Sequence, residues 1–164
     1  ALGKEDTIAT AQVDFYSADK FSLEFINNKG KKEKPVIIHR AIMGSFDRFF
    51  AFLAEQTGGA FPAWLAPEQV WILPIGSRHE EYASKIADEL KRNNIRVIVK
   101  NENETVGKKI REGELQKIPY LLVVGDKEIS ADALSVRARG QGDLGTMQIK
   151  EFIAKITREI AEKS

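Results

Sequence analysis

The stretch Ile38-His39-Arg40-Ala41-Ile42-Met43-Gly44-Ser45-Phe46-Asp47-Arg48-Phe49 places a histidine, a Gly-Ser pair and an arginine along one passage from strand to helix. A glycine lets a ligand approach the backbone closely. An arginine in the first turns of a helix adds a bidentate donor where free N–H groups already favour phosphate. The plain alternative is a solvated Arg48 paired with Asp47 or Glu55, with His39 as a polar strand end. Spacing alone leaves both readings open. His39 as a metal ligand needs companions, and the chain has no cysteine and one other histidine, His79. His79 stands at a helix start, where capping or solvent exposure is the simpler role.

A second group lies further on. The polar loop Asn101-Glu102-Asn103-Glu104 precedes a helical stretch holding Lys108, Lys109 and Arg111, and Ser135-Val136-Arg137-Ala138-Arg139 alternates like a strand. Arg137 and Arg139 then share one sheet face. Two arginines there can read bases or phosphates, or can simply be a solvated face. The aromatic residues fall at helix-core or strand-core spacing and read as packing. No glycine-rich phosphate loop of the Walker or dinucleotide type occurs.

The elements that must position these groups fall into two parts. In the first, Thr7–Phe15 is rich in strand formers and Phe21–Phe25 alternates. Asn27–Lys32 reads as a hairpin loop and Pro35–His39 as a third strand. Phe46, Phe49, Phe50 and Leu53 have helical spacing within a helix predicted over Ile42–Thr57, stopped by Gly58-Gly59. The two-proline segment Phe61–Gln69 keeps neither period, and the boundary is placed near Pro67, dividing the chain into 1–67 and 68–164.

The second part alternates. Strands are predicted at Val70–Ile75, Arg96–Lys100, Tyr120–Val124 and Leu134–Arg139. Helices are predicted at Glu80–Asn93 (capped by Ser77 and Glu80), Thr105–Lys117 and Thr146–Ala161, with a turn at Gly125-Asp126. That order predicts an α/β domain with a mixed sheet flanked by helices, preceded by an antiparallel β-plus-helix segment.

Composition sets outer limits. The chain has 164 residues, 43% hydrophobic, and a net charge of +1. It carries 8 basic and 9 acidic residues before Val70, and 17 and 15 from there on. A contact with RNA must therefore come from local groups, not from an overall field. The absence of cysteine excludes disulfides and thiolate sites and fits a cytoplasmic protein. No apolar run has the length of a membrane span, and no secretory leader is visible, so no membrane partner is expected. The first residue, Ala1, points to a cut or processed piece.

The run Pro35–Val70, PVIIHRAIMGSFDRFFAFLAEQTGGAFPAWLAPEQV, resembles the region around the third signature motif of threonyl-tRNA synthetases, a class II aminoacyl-tRNA synthetase family. Thr10-Ala11-Gln12-Val13-Asp14-Phe15 resembles that family's active-site strand. VGKKIREGELQKIPYLLVVGDKEI and SVRARGQGDLGTM are similar to its anticodon-binding domain. The resemblance spans nearly the whole chain, and it implies the end of a catalytic domain followed by an anticodon-binding domain.

Roles follow residue by residue from the resemblance. It implies that Arg48 is a catalytic residue holding the ATP phosphates, with Thr10 near ATP and the adenylate. It makes Gln12 and Ser45 lining residues of the threonine pocket. It makes His39 a zinc ligand whose companions, a cysteine and a histidine, lie upstream of Ala1. It gives Asn103, Glu128 and Arg137 contacts to the anticodon. The sequence departs from the family at Thr7, usually glutamine, at Ala9, commonly glycine, and at Asp47, more often glutamate; 101–105 also differs.

The resemblance further implies a parent enzyme that uses zinc and ATP with Mg2+, acts on threonine and threonine tRNA, and forms a homodimer. The 164-residue chain alone is expected to be inactive and to bind no cofactor. The alternative is a non-catalytic RNA-binding accessory protein derived from a synthetase.

Overall fold

The computed structural model describes residues 5 and 7–163, which divide into two compact units, one ending at Gln56 and one beginning at Thr57. The segment 57–67 therefore packs with the second unit, although loss of periodicity puts the boundary near Pro67.

The first unit holds β1 (Thr10–Asp14), the one-turn α1 (Ser17–Lys20), β2 (Phe25–Ile26), β3 (Lys32–Glu33), β4 (Ile37–Ala41) and α2 (Phe46–Thr57, its last residue crossing into the second unit). β1 pairs antiparallel with β4, and β2 with β3. The alternation over Phe21–Phe25 yields only the two-residue strand β2, and α1 precedes it. Asp14 accounts for α1: its carboxylate accepts the amides of Tyr16 and Ser17 and turns the chain. Among the described residues of this unit only Ala18 is buried, while Phe15, Tyr16, Ile38, Ile42 and Phe46 are exposed.

The second unit contains β5 (Val70–Pro74), a 3₁₀ turn (Ser77–His79), α3 (Glu80–Arg92), β6 (Val97–Val99), α4 (Val106–Leu115), β7 (Tyr120–Val124), α5 (Asp126–Ala131), β8 (Ala133–Ala138), β9 (Gly142–Gln148) and α6 (Ile149–Glu162). The strand order is β6-β5-β7-β8-β9. β5 is parallel to β6 and β7, whereas β8 and β9 are antiparallel additions, so the sheet is mixed.

β5 is apolar throughout and buried throughout, because helices cover both of its faces. Val70 and Ile72 join the larger core with Ala83, Ile86 and Leu90 of α3 and Phe152 and Ile156 of α6. Trp71 and Leu73 face the other way, into a smaller core with Ile118, Leu121 and Ile110 of α4. The 3.6-residue spacing of α3 and α6 put those side chains on one stripe. α4 lies very close to the sheet at Gly113, where a Cβ would stand 2.5 Å from Leu121 Cδ2.

Two elements depart from the sequence reading. The long helix begins at Ile149, and the residues before it form β9, an edge strand whose Gly142 and Gly145 hide the strand pattern. The turn at Gly125-Asp126 opens a short helix, α5. The cap at the start of α3 also differs: His79 Nδ1, not Ser77, accepts the Gly76 amide at 3.1 Å.

The segment before β5 is tied down by side chains that reach its backbone. Gln69, fully buried, donates to Ala63 O at 2.8 Å and accepts the Arg96 amide at 2.8 Å. The Arg96 guanidinium donates to the carbonyls of Trp64 and Ala66.

Candidate functional site

The register of β1 and β4 places Gln12 directly opposite His39 and Thr10 opposite Ala41. Alternation then puts Thr10, Gln12, Asp14 and His39 on one face of this ribbon. His39 Nε2 meets Asp14 Oδ2 at 2.9 Å. The Ser17 hydroxyl and amide, and then His39, hold the Asp14 carboxyl well below the ordinary carboxylate range. A carboxylate on one ring nitrogen fixes the tautomer and leaves Nδ1 with the lone pair, the arrangement expected of a metal-ligating histidine. His39 thus fits the part of one zinc ligand. Among the described residues no cluster of three metal-ligating side chains occurs.

Ser45 and Arg48 belong to the turn from β4 into α2. Ser45 Oγ accepts the Arg48 amide at 3.2 Å and so caps the helix. The Arg48 guanidinium donates to Thr7 O at 3.4 Å. Gly44 has φ +64°, and a Cβ there would stand 3.0 Å from Ile8 O, so the turn needs glycine. Arg48 is therefore presented at the start of α2 beside the strand segment that leads into Thr10.

In the second unit the loops after β5, β6 and β7 leave the same carboxyl edge of the sheet. Asn103 is exposed in the loop after β6. Glu128 lies in the first turn of α5, half-buried, its carboxylate accepting the Gly125 amide at 2.9 Å. These two share an edge. Arg137 lies opposite Leu121, near the start of β7, about 10 Å of strand from Val124. The three residues are thus spread along the sheet and do not converge on one point.

Arg137 is the most distinctive of them. It lines a pocket walled by Glu114, Ile118 and Leu121 on one side and by Gly140 and Gly142 on the other. Its guanidinium makes only long ion pairs, 3.9 Å to Glu114 and 3.6 Å to Asp143. Its Nε is buried without a hydrogen-bond partner. The register of β8 on β9 shifts between Val136 and Arg137, and a bulge of this kind re-aims the side chain beside it. Arg139 does not extend a two-arginine face: it lies past the end of β8 and its guanidinium is bound to backbone carbonyls.

Two further groups stand at the carboxyl edge: His79, read from the sequence as capping or exposed, and Lys109, whose burial escaped sequence reasoning. His79 is buried and meets Asp126 Oδ1 at 3.1 Å through Nε2. Because Nδ1 accepts from Gly76, Nε2 carries the proton and donates to Asp126. Arg78 Nε stands 3.1 Å from the same nitrogen and has no lone pair to meet there; its own partner is the Asp126 carboxylate. Lys109 is also buried, and its ammonium donates to Pro74 O at 3.2 Å and Lys100 O at 2.7 Å. A lysine in an amphipathic helix normally reads as solvated, so only the packing of α4 beneath two strand ends reveals this one.

This mixed sheet, with two helices on one face and α4 on the other, has known counterparts. The family model described as an anticodon binding domain matches residues 69–159, and the chain belongs to that family. Over its full length it is similar to threonine–tRNA ligases. It is 46% identical over 164 residues to that of Caldanaerobacter subterraneus subsp. tengcongensis, covering 100% of this chain and 26% of the relative. It is 49% identical over 164 residues to that of Staphylococcus saprophyticus, covering 99% and 25%. The chain therefore spans about a quarter of the length of the curated relatives it matches.

Among solved structures, the RNA binding domain of threonyl-tRNA synthetase from Cryptosporidium parvum Iowa II superposes with a TM-score of 0.82 at 34% identity, covering 96% of this chain and 40% of that one. A prolyl-tRNA synthetase from Cryptosporidium parvum shares the fold at a TM-score of 0.74 and 23% identity, covering 94% of this chain and 35% of that one. No helix among the described residues is long and apolar enough to cross a membrane.

Proposed function

We propose that this chain is the C-terminal piece of a threonine–tRNA ligase, in which the second unit binds the anticodon loop of threonine tRNA and the first contributes part of the threonine-activating site. The observation that carries the reading is Arg137, whose guanidinium lines a half-open pocket with one buried donor unused. Its long ion pairs are weak and readily exchanged. A guanine edge offers the two parallel acceptors that an arginine fork matches, and the threonine anticodon has guanine in the middle. Asn103 and Glu128 contact other anticodon nucleotides at the carboxyl edge, and a looped single strand is long enough to visit both places.

In the first unit, Arg48 holds the ATP phosphates and offsets the charge that develops on them, with Mg2+ accompanying the nucleotide. Thr10 lies towards ATP and the adenylate, and Gln12 and Ser45 line the threonine pocket. His39 supplies one zinc ligand, oriented by Asp14, and residues outside this chain supply the rest. Zinc, when bound, would supply a Lewis acid for the substrate's amine and hydroxyl. A site built around the hydroxyl rejects valine far better than an apolar pocket does. The exposed apolar side chains of the first unit are covered by the remainder of the catalytic domain, in a homodimeric cytoplasmic enzyme.

The chain alone does not threonylate tRNA, because its zinc and ATP sites are each incomplete. Detectable threonylation by the purified chain would remove that statement. The RNA reading is tested by binding to threonine tRNA and to the same tRNA with its middle anticodon guanine replaced. Equal binding that vanishes with salt would mean phosphate attraction alone.

A further inference from the structure

The Arg137 pocket has two walls that belong to different segments. One is the end of α4 and the turn into β7, carrying Glu114 and Ile118; the other is the end of β8 and its turn into β9, carrying Gly140 and Gly142. Arg139 joins them. Its backbone amide donates to Pro119 O at 2.9 Å, and its guanidinium donates to Lys117 O. Its Nη2 reaches the segment before β5, to Phe61 O at 2.7 Å and Ala60 O at 3.3 Å. All of these acceptors are backbone carbonyls, so Arg139 fixes chain positions and leaves side chains free. Partial burial pushes its pKa down.

We infer that Arg139 is a positioning residue that sets the width of the Arg137 pocket, holding its walls at the spacing that admits one planar base of a single-stranded RNA. This rests on the RNA-binding reading above. An arginine fork reaches several carbonyls in one plane, which a lysine ammonium on a flexible stem does not reproduce. Arg139 borders the pocket beside Arg137, but its guanidinium is committed to backbone carbonyls, so it acts by holding the walls.

The test uses the whole chain and a hairpin RNA whose loop carries a threonine anticodon, against the same hairpin with the middle guanine replaced by adenine. Arg139→Lys, Arg139→Gln and Ile156→Val are compared for the ratio of the two dissociation constants, the salt slope and the unfolding midpoint. Both Arg139 variants are expected to lose roughly 3–10-fold of the ratio with an unchanged salt slope, part of the 1–3 kcal/mol that a bidentate base contact supplies. Ile156→Val removes a core methyl group away from the pocket and is expected to keep the ratio at a lowered midpoint.

An unchanged ratio in folded Arg139 variants would overturn the inference. A slope reduced by about one with the ratio intact would overturn it too, because Arg139 would then be a phosphate contact. If Arg139→Gln does not fold, Arg139→Lys decides. An unaltered chain that fails to discriminate the two hairpins defeats the RNA reading itself, an outcome separate from any variant.

Discussion

Replacing Lys109 by methionine separates a buried structural ammonium from a solvated one. Lys109 is 3% exposed, and its ammonium serves two strand-end carbonyls, Pro74 O and Lys100 O, with no carboxylate among its hydrogen-bond partners. Methionine keeps most of the stem, so little new apolar burial is gained. Each carbonyl left without its donor costs about 1–3 kcal/mol. Relief of the buried charge offsets part of this, leaving a net loss of about 2–4 kcal/mol.

The neighbouring Lys108→Met change removes only an exposed contact to Glu104 and is expected to leave stability almost unchanged. Both tryptophans, Trp64 and Trp71, lie in the second unit, so tryptophan fluorescence in a urea titration reports on that unit. The expected result is a lower midpoint at unchanged slope for Lys109→Met and almost none for Lys108→Met. Two variants of equal stability would refute the argument from buried carbonyls.

Two predictions concern the first unit. Asp14 has a depressed folded pKa, so its contribution to stability is present above its unfolded value, near 3.8, and is lost as pH falls towards its folded value. Asp14→Asn is expected to remove that acid dependence and to free the His39 ring from one tautomer, read by NMR of the imidazole nitrogens; unchanged nitrogen shifts would contradict the pairing. Gly44→Ala forces a Cβ into a left-handed turn and against Ile8 O, at a cost of about 1–2 kcal/mol, and faster amide exchange in the first turn of α2 is the expected readout.

What could be read from the sequence follows from how local each signal is. β5 is apolar over its whole length, and α3 repeats small and aliphatic residues at helical spacing, so both were legible. β9 was not, because glycines at 142 and 145 replace the side chains that would have alternated, and its order comes from pairing with β8. α5 is too short for a periodic signal, and Gly125-Asp126 reads as a turn.

The candidate site divides in the same way. Alternation over Thr10–Asp14 and Ile37–Ala41 suffices to put Gln12 and His39 on one face once the strands pair. The pairing of Asp14 with His39 and the roles of Lys109 and Arg139 depend on backbone carbonyls or side chains distant in sequence, and no spacing rule encodes those. Arg137 and Arg139 look equivalent as a pair in a strand. The turn after Ala138 separates them into one arginine facing a pocket and one bound to the backbone.

We propose that Arg137 reads the middle anticodon base. It is tested most directly by measuring binding of the chain and its Arg137→Ala variant to threonine tRNA, and to the same tRNA with that guanine replaced, at two salt concentrations. The base change is expected to weaken binding of the unaltered chain by about 1–3 kcal/mol, Arg137→Ala to abolish this difference, and the salt slope to stay the same. Equal binding of both RNAs by the unaltered chain, or a difference that survives Arg137→Ala, would contradict it.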